Sequence, residues 1–303
     1  MRSFTLDAGG PLHLADFGGA GPTLLLVHGL GGSHLNWMLV GGSLAHRHRV
    51  LAVDLPGFGR SPRAGRDVSV AANAELLGRV AGRLGEGEPV SLAGNSMGGL
   101  LSLAVAARRP EAVSALVLVD PALPPPRRFG FGLDLITRNL LLAYGLPTRS
   151  SVHMRRLAQR RGAERLVREV LELCAYDMAG IDAAAVDAHV ALERERLALP
   201  EWHVNLFETT RSLLRTLMRR RRVEEWIKRV TAPTLLMHGD HDRVVSPLSA
   251  RAAAALRPDW DFQVLDRIGH VPMLEAPQRF VTLVDEWLGR VSASRGQAAA
   301  GIA

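Results

Sequence analysis

Gly94-Asn95-Ser96-Met97-Gly98 sits between the apolar run Pro89-Val-Ser-Leu-Ala93 and the alanine- and leucine-rich stretch Leu100 to Arg108. The run before it reads as a strand, and the stretch after it as a helix stopped by Pro110. A serine flanked by glycines between strand and helix marks a sharp, strained turn, because a side chain at either glycine would collide with the backbone. Such a turn holds the Ser96 hydroxyl out at one edge of a sheet. The helix that follows offers unpaired N–H groups and the positive end of its dipole.

Outward from this turn, the chain alternates short apolar runs with helical stretches, as βαβ units do. Leu12 to Phe17, Thr23-Leu-Leu-Leu-Val27, Arg49-Val-Leu-Ala-Val53 and Val113 to Val119 read as strands, and residues 68–84 as a helix. After Pro121-Ala-Leu-Pro-Pro-Pro126 the texture changes. From about Arg127 to Val223 arginines are interleaved among leucines, with helical character throughout. Strands resume at Pro233 to Met237 and Phe262 to Leu265, with helices at Pro247 to Leu256 and Phe280 to Val291. The expected organisation is α/β. A mostly parallel, twisted sheet flanked by helices occupies residues 1–121 and 226–291, a helical insertion occupies 122–225, and residues 292–303 form a disordered tail. Ligands of such sheets bind beyond the carboxyl ends of the strands, where the insertion would roof the site.

A serine hydroxyl needs a base to take its proton, and that base needs an acid to fix its tautomer. Of the eleven histidines, His270 follows the last expected strand, in Gly269-His270-Val271-Pro272, and so lies at the same sheet edge as Ser96. His46 and His48 fall in an arginine-rich loop, and His153, His189 and His203 in the insertion. Asp242, in Gly239-Asp240-His241-Asp242, follows the preceding strand and is the expected acid; Asp120, ending the Val113–Val119 run, is the alternative. Backbone donors for a developing oxyanion would be Met97 N–H and one from His28-Gly29-Leu30-Gly31-Gly32-Ser33, with Leu30 preferred and Gly31 the alternative. His28 itself reads as a structural hydrogen-bonding residue.

Composition sets the frame. The 303 residues, 47% hydrophobic and 22% charged, are ordinary for a globular chain that buries a full core. The net charge of +7 is carried almost wholly by arginine, Lys228 being the only lysine. The densest cluster, Arg219 to Arg222 beside Arg211 and Arg215, reads as a solvated helical face; no nucleic-acid motif accompanies it. Weak peripheral contact with an anionic membrane is the secondary reading. Cys174, the single cysteine, excludes an internal disulfide and reads as a small apolar helix residue. With no apolar leader and no membrane-length apolar run, the expected compartment is the cytoplasm. Neither a metal nor a cofactor is expected, since no phosphate loop, dinucleotide fingerprint or ligand cluster stands out.

His28-Gly29-Leu30-Gly31-Gly32, Asp54-Leu-Pro-Gly57-Phe-Gly59-Arg-Ser61, Gly94-Asn-Ser96-Met-Gly98-Gly99, Gly239-Asp-His-Asp242 and Gly269-His270 together resemble the α/β-hydrolase superfamily in order and spacing. The resemblance covers the chain outside the insertion and tail. It implies a serine hydrolase of esterase or lipase type, acting on a small-molecule ester without a cofactor, with the insertion as a cap and the Asp54–Ser61 loop structural. Phe129 to Ile136 and Leu140 to Tyr144 are apolar enough to suggest hydrophobic, lipid-like acyl groups. The elbow also looks like that of the meta-cleavage-product hydrolases, which break carbon–carbon bonds. However, those relatives carry a Ser-Gly-Pro-Gly type loop where this chain has Leu30-Gly31-Gly32-Ser33, and Trp after the histidine where it has Val271. Perhydrolase (non-haem haloperoxidase-like) chemistry uses the same three residues. Dehalogenase or epoxide hydrolase chemistry would need an acid at position 96.

Overall fold

Thr23-Leu-Leu-Leu-Val27 is apolar throughout because both of its faces are covered. Leu25 and Val27 enter one core cluster, Leu24 and Leu26 the other. The same division holds for Val113–Val119, with Leu116 and Leu118 on one side and Ala115, Val117 and Val119 on the other. The computed structural model describes residues 1–125, 149–199 and 201–300. The apolar stretches Phe129 to Ile136 and Leu140 to Tyr144 lie outside the described residues.

The strands are β1 (Arg2–Asp7), β2 (Pro11–Gly18), β3 (Thr23–Val27), β4 (Arg49–Val53), β5 (Val90–Asn95), β6 (Val113–Val119), β7 (Thr234–Gly239) and β8 (Asp261–Leu265). They form one sheet in the order β1-β2-β4-β3-β5-β6-β7-β8. β1 with β2 and β2 with β4 are antiparallel, and every pairing from β4 to β8 is parallel. β1 is an edge strand that the sequence reading does not contain. Its exposed and half-buried residues give it no apolar run to be recognised by.

One face of the sheet carries α1 (Val70–Leu84) and α2 (Met97–Arg108), joined further along the chain by α6 (Arg220–Arg229) and α7 (Pro247–Leu256). Between β6 and β7 lie α3 (Arg149–Cys174), broken at Gly162, α4 (Ala183–Leu197) and α5 (Trp202–Met218). Leu171, Ile181 and Val190 from this segment join Trp37, Phe280 and Trp287 in the second cluster. The last helix, α8 (Pro277–Ala300), contributes Phe280, Val284 and Leu288. It continues past Val291 through residues the sequence reading assigned to a tail. That stretch contains no proline and ends in three alanines, good helix formers, so nothing in it stops the helix.

Helix α6 spans the boundary expected at 225/226. Val223, Trp226 and Ile227, at helical spacing, bury into the core. The arginine cluster is partly structural: the guanidinium groups of Arg108 and Arg222 lie 5.2 and 5.4 Å from the Trp226 ring centroid, and Arg220 Nε is 2.6 Å from Glu224 Oε1. Among the described residues no helix is long and apolar enough to cross a membrane.

Asp54 is fully buried and accepts from His34 N–H at 2.6 Å, Arg60 N–H at 2.8 Å and His34 Nδ1 at 2.9 Å, with His13 Nδ1 2.9 Å away. Burial pushes this carboxyl up, but His13 and His34 outweigh it and hold it below the usual carboxylate range. His13, His34 and Asp54 could also be read as metal ligands. Their separations are those of hydrogen bonds between the groups themselves, which accounts for the cluster.

The elbow depends on close approach. A Cβ on Gly98 would lie 2.2 Å from Val27 O and 2.6 Å from His28 O. Gly98→Ala should therefore push α2 off β3 and destabilise the protein by about 1–3 kcal/mol. A urea-denaturation midpoint at the wild-type value would refute that close-packing account.

Candidate active site

The parallel register carries the site residues to one edge. Val27 pairs with Gly94, Asn95 with Val119, and Val119 with Met237. The ladder then continues one rung past the strands: Ser96 N–H donates to Val119 O at 3.0 Å, and Asp120 N–H to Met237 O at 2.9 Å. Ser96 and Asp120 thus stand side by side, with Asp242 after β7 and His270 after β8 at the same edge.

Ser96 has φ 55 and ψ −119, a region that side chains other than glycine avoid. Met97 is the first residue of α2, so its N–H has no acceptor within the helix. Opposite, the His28–Ser33 loop closes on Ser96, since a Cβ on Gly29 would lie 3.1 Å from Ser96 Cβ. His28 fixes that loop. Its Nδ1 donates to Gly29 O at 2.7 Å and its Nε2 accepts from Leu55 N–H at 3.0 Å. Full burial lowers its pKa to about 4, so it is a neutral hydrogen-bonding residue and cannot compete as a base at neutral pH.

His270 Nδ1 donates to Asp242 Oδ2 at 2.7 Å, which leaves Nε2 as the proton-accepting nitrogen. His270 is 4% exposed and its backbone is pinned twice. His270 N–H donates to Cys174 O at 2.6 Å, and the side-chain amide of Asn95, next to Ser96, donates to His270 O at 3.0 Å. Glu275 adds a third anchor, accepting from Gly269 N–H at 3.0 Å, Val271 N–H at 3.3 Å and Tyr176 N–H at 2.7 Å. Nothing in the sequence reading pointed to Glu275; only its position five residues after the histidine could have done so.

Asp242 and Asp120 are both buried, yet their surroundings shift them in opposite directions. Burial pushes Asp242 up, but the His270 charge and hydrogen bonds from His238 and His270 outweigh it and leave the carboxyl ionised. Its other oxygen accepts from Val244 and Val245 N–H at 2.7 and 2.9 Å. Among the described residues Asp120 has one donor, Gly239 N–H at 2.8 Å, while its Oδ2 is enclosed without a partner. Burial therefore dominates and raises it well above the carboxylate range, with His238 opposing and Asp242 adding to the rise. His238, whose Nε2 lies 3.0 Å from Val245 O and 3.2 Å from Asp242 Oδ2, was not singled out by the sequence reading. An acceptor for a histidine needs a charged carboxylate in contact with it, and Asp242 meets both conditions.

Cys174 ends α3 beside this cluster, and burial pushes its thiol up to about 12, so no thiolate forms near neutral pH. His189 and His203 lie on α4 and α5, with His189 bonding to Ala185 O at 2.8 Å. A cavity of about 340 Å³, lined by Thr23, His48, Ser91, Ser114 and Leu288, lies at the opposite edge of the sheet, where the parallel strands begin.

The family model described as the alpha/beta hydrolase family matches residues 24–283. Among curated relatives, 2-hydroxymuconate semialdehyde hydrolase from Pseudomonas sp. strain CF600 is 30% identical, over 91% of this chain and 90% of its own. Lipase 1 from Psychrobacter immobilis is 27% identical, over 91% and 80%. Among solved structures, a membrane phospholipase A described as a bacterial virulence factor matches with a TM-score of 0.76 at 27% identity, over 96% of this chain and 86% of that one.

A raised carboxyl stabilises the fold fully below the unfolded pKa, and that stability is lost as pH rises toward the folded pKa. Asp120→Asn removes this titration while keeping an acceptor for Gly239 N–H. The variant should gain on the wild type steadily as pH rises above the ordinary carboxylate range. Urea midpoints measured from pH 5 to 9 check this; a gap that does not change with pH would mean that Asp120 is ionised in the folded protein.

Proposed function

Because the chain belongs to the alpha/beta hydrolase family, we propose that it is a serine hydrolase that cleaves carboxylic esters through an acyl-enzyme. The observation that carries the reading is the 2.7 Å bond from His270 Nδ1 to an ionised Asp242, at the edge where the strained elbow presents Ser96. In this reading Ser96 Oγ attacks the ester carbonyl while His270 Nε2 takes its proton, and Asp242 stabilises the imidazolium that forms. The alcohol leaves with that proton. Water then attacks the acyl-enzyme with His270 again as base, and the acid is released. Met97 N–H and Leu30 N–H, with Gly31 N–H the alternative for the latter, would hold the oxyanion.

The segment 122–225 is proposed as a cap over this edge, and the substrate as a small-molecule ester met in the cytoplasm. Hydrophobic acyl groups are favoured by the apolar character of Phe129 to Ile136, and by relatives named as a lipase and a phospholipase. No metal or cofactor enters the proposed chemistry.

A second reading, carbon–carbon bond hydrolysis, is supported by the relative at 30% identity and by the elbow sequence. It would use the same Ser96 and His270.

p-Nitrophenyl esters of graded acyl length and a vinylogous keto acid separate the two readings. The ester reading expects turnover that depends on chain length and a fluorophosphonate label on Ser96, both lost in Ser96→Ala. Asp242→Asn should cost about a thousandfold or more in kcat, far above the cost of Asp120→Asn. The reverse ranking would move the acid to Asp120, and turnover of the keto acid alone would select carbon–carbon chemistry.

A further inference from the structure

Arg196 lies in the last turn of α4 and crosses to the loop after β3. Its Nη1 donates to Gly31 O at 2.7 Å and is 3.2 Å from Glu193 Oε2, while the guanidinium carbon stands 6.0 Å from the Phe58 ring centroid. The side chain is only 8% exposed, and its Nε is enclosed without a partner among the described residues. A guanidinium is costly to bury, and this one leaves a donor unmatched. In return it makes an ion pair with Glu193 and a charge-assisted hydrogen bond to one backbone carbonyl of a distant loop.

That carbonyl belongs to a turn that needs holding. Gly32 N–H donates to Gly29 O at 3.1 Å, and Gly31 has φ +75 while Leu30 has no positive φ, which defines a type II turn. The peptide between Gly31 and Gly32 has glycine on both sides, so the backbone resists its rotation weakly. Two hydrogen bonds fix its plane: the N–H closes the turn on Gly29, and the carbonyl accepts from Arg196. The first is internal to the loop, whereas the second comes from the proposed cap, 165 residues along the chain.

We propose that Arg196 is a positioning residue that latches the cap to the oxyanion loop and holds the turn that carries the Leu30 and Gly31 N–H groups in place beside Ser96. The role in turnover rests on the serine hydrolase reading above; the latch itself does not. A cap held in this way shapes the site as well as covering it. Removing the latch should therefore impair transition-state stabilisation more than substrate capture.

Arg196→Met and Arg196→Lys in the full chain test this by two readouts. Hydrogen exchange followed by mass spectrometry reports the amides of residues 28–33, and steady-state hydrolysis of a p-nitrophenyl ester gives kcat and KM separately. For Arg196→Met, exchange across 28–33 should quicken and kcat fall by about tenfold or more, with KM within about twofold of the wild type. Arg196→Lys, which keeps a single cationic donor, should recover part of both and stands in if Arg196→Met does not fold. Unchanged exchange at 28–33, unchanged kcat, or a rise in KM alone would each overturn the proposal, the last assigning Arg196 to substrate binding. A wild-type protein showing neither ester turnover nor Ser96 labelling would remove the hydrolase reading, while the exchange measurement would still decide the latch.

Discussion

Ser96 is held at φ 55 and ψ −119. Backbone of this kind costs on the order of 1–3 kcal/mol and persists only where its surroundings over-determine it. Those surroundings are three adjacent strands. Ser96 N–H is tied to Val119 O at the end of β6, and Ser96 O accepts from Leu100 and Ala122 N–H at 3.1 and 2.9 Å. Gly98 is pressed against the β3 carbonyls. Shifting β3, β5 or β6 by a residue would release the strain and lose the hydroxyl's position. The apolar cores on the two faces of the sheet therefore do more than stabilise the fold, because they keep the registers that hold the elbow.

The three buried aspartates show how one side chain is set to different uses by its donors. Asp54, Asp120 and Asp242 all lose water. Asp54 is surrounded by two backbone N–H groups and two imidazoles, and Asp242 by two of each as well, so both remain anionic. Among the described residues Asp120 has a single backbone donor and a bare oxygen, so burial pushes its carboxyl up. Burial alone would have treated all three alike. The number of hydrogens aimed at each carboxyl separates Asp54 and Asp242, held below the usual carboxylate range, from Asp120, pushed above it.

The sheet and the elbow were legible because their signals are local. The fully apolar runs of β3 and β6 require cover on both faces, and the glycine-flanked serine needs only its strand and helix to be understood. The order of Ser96, Asp242 and His270 along the chain puts each just after a strand that ends at the same edge. Several features were not legible. β1 carries only a short alternation, Phe4 and Leu6, half-buried against the core. The helix beyond Val291 has no periodic signal, only the absence of a breaker. Arg196 looks like any helical arginine until the loop it reaches is folded beside it. Glu275 and His238 act through contacts with backbone or with a partner fixed by tertiary structure. In each case the missing information was a distance between residues far apart in sequence.

The bond from His270 N–H to Cys174 O ties the end of α3 to the imidazole loop through main-chain atoms only. Any residue able to end that helix can supply the same carbonyl, so selection on this contact leaves the side chain at position 174 free to drift. Across divergent homologues the junction would then persist with no signature in an alignment, and a search for co-varying positions would pass over it. A comparison of helix-end geometry would find it instead.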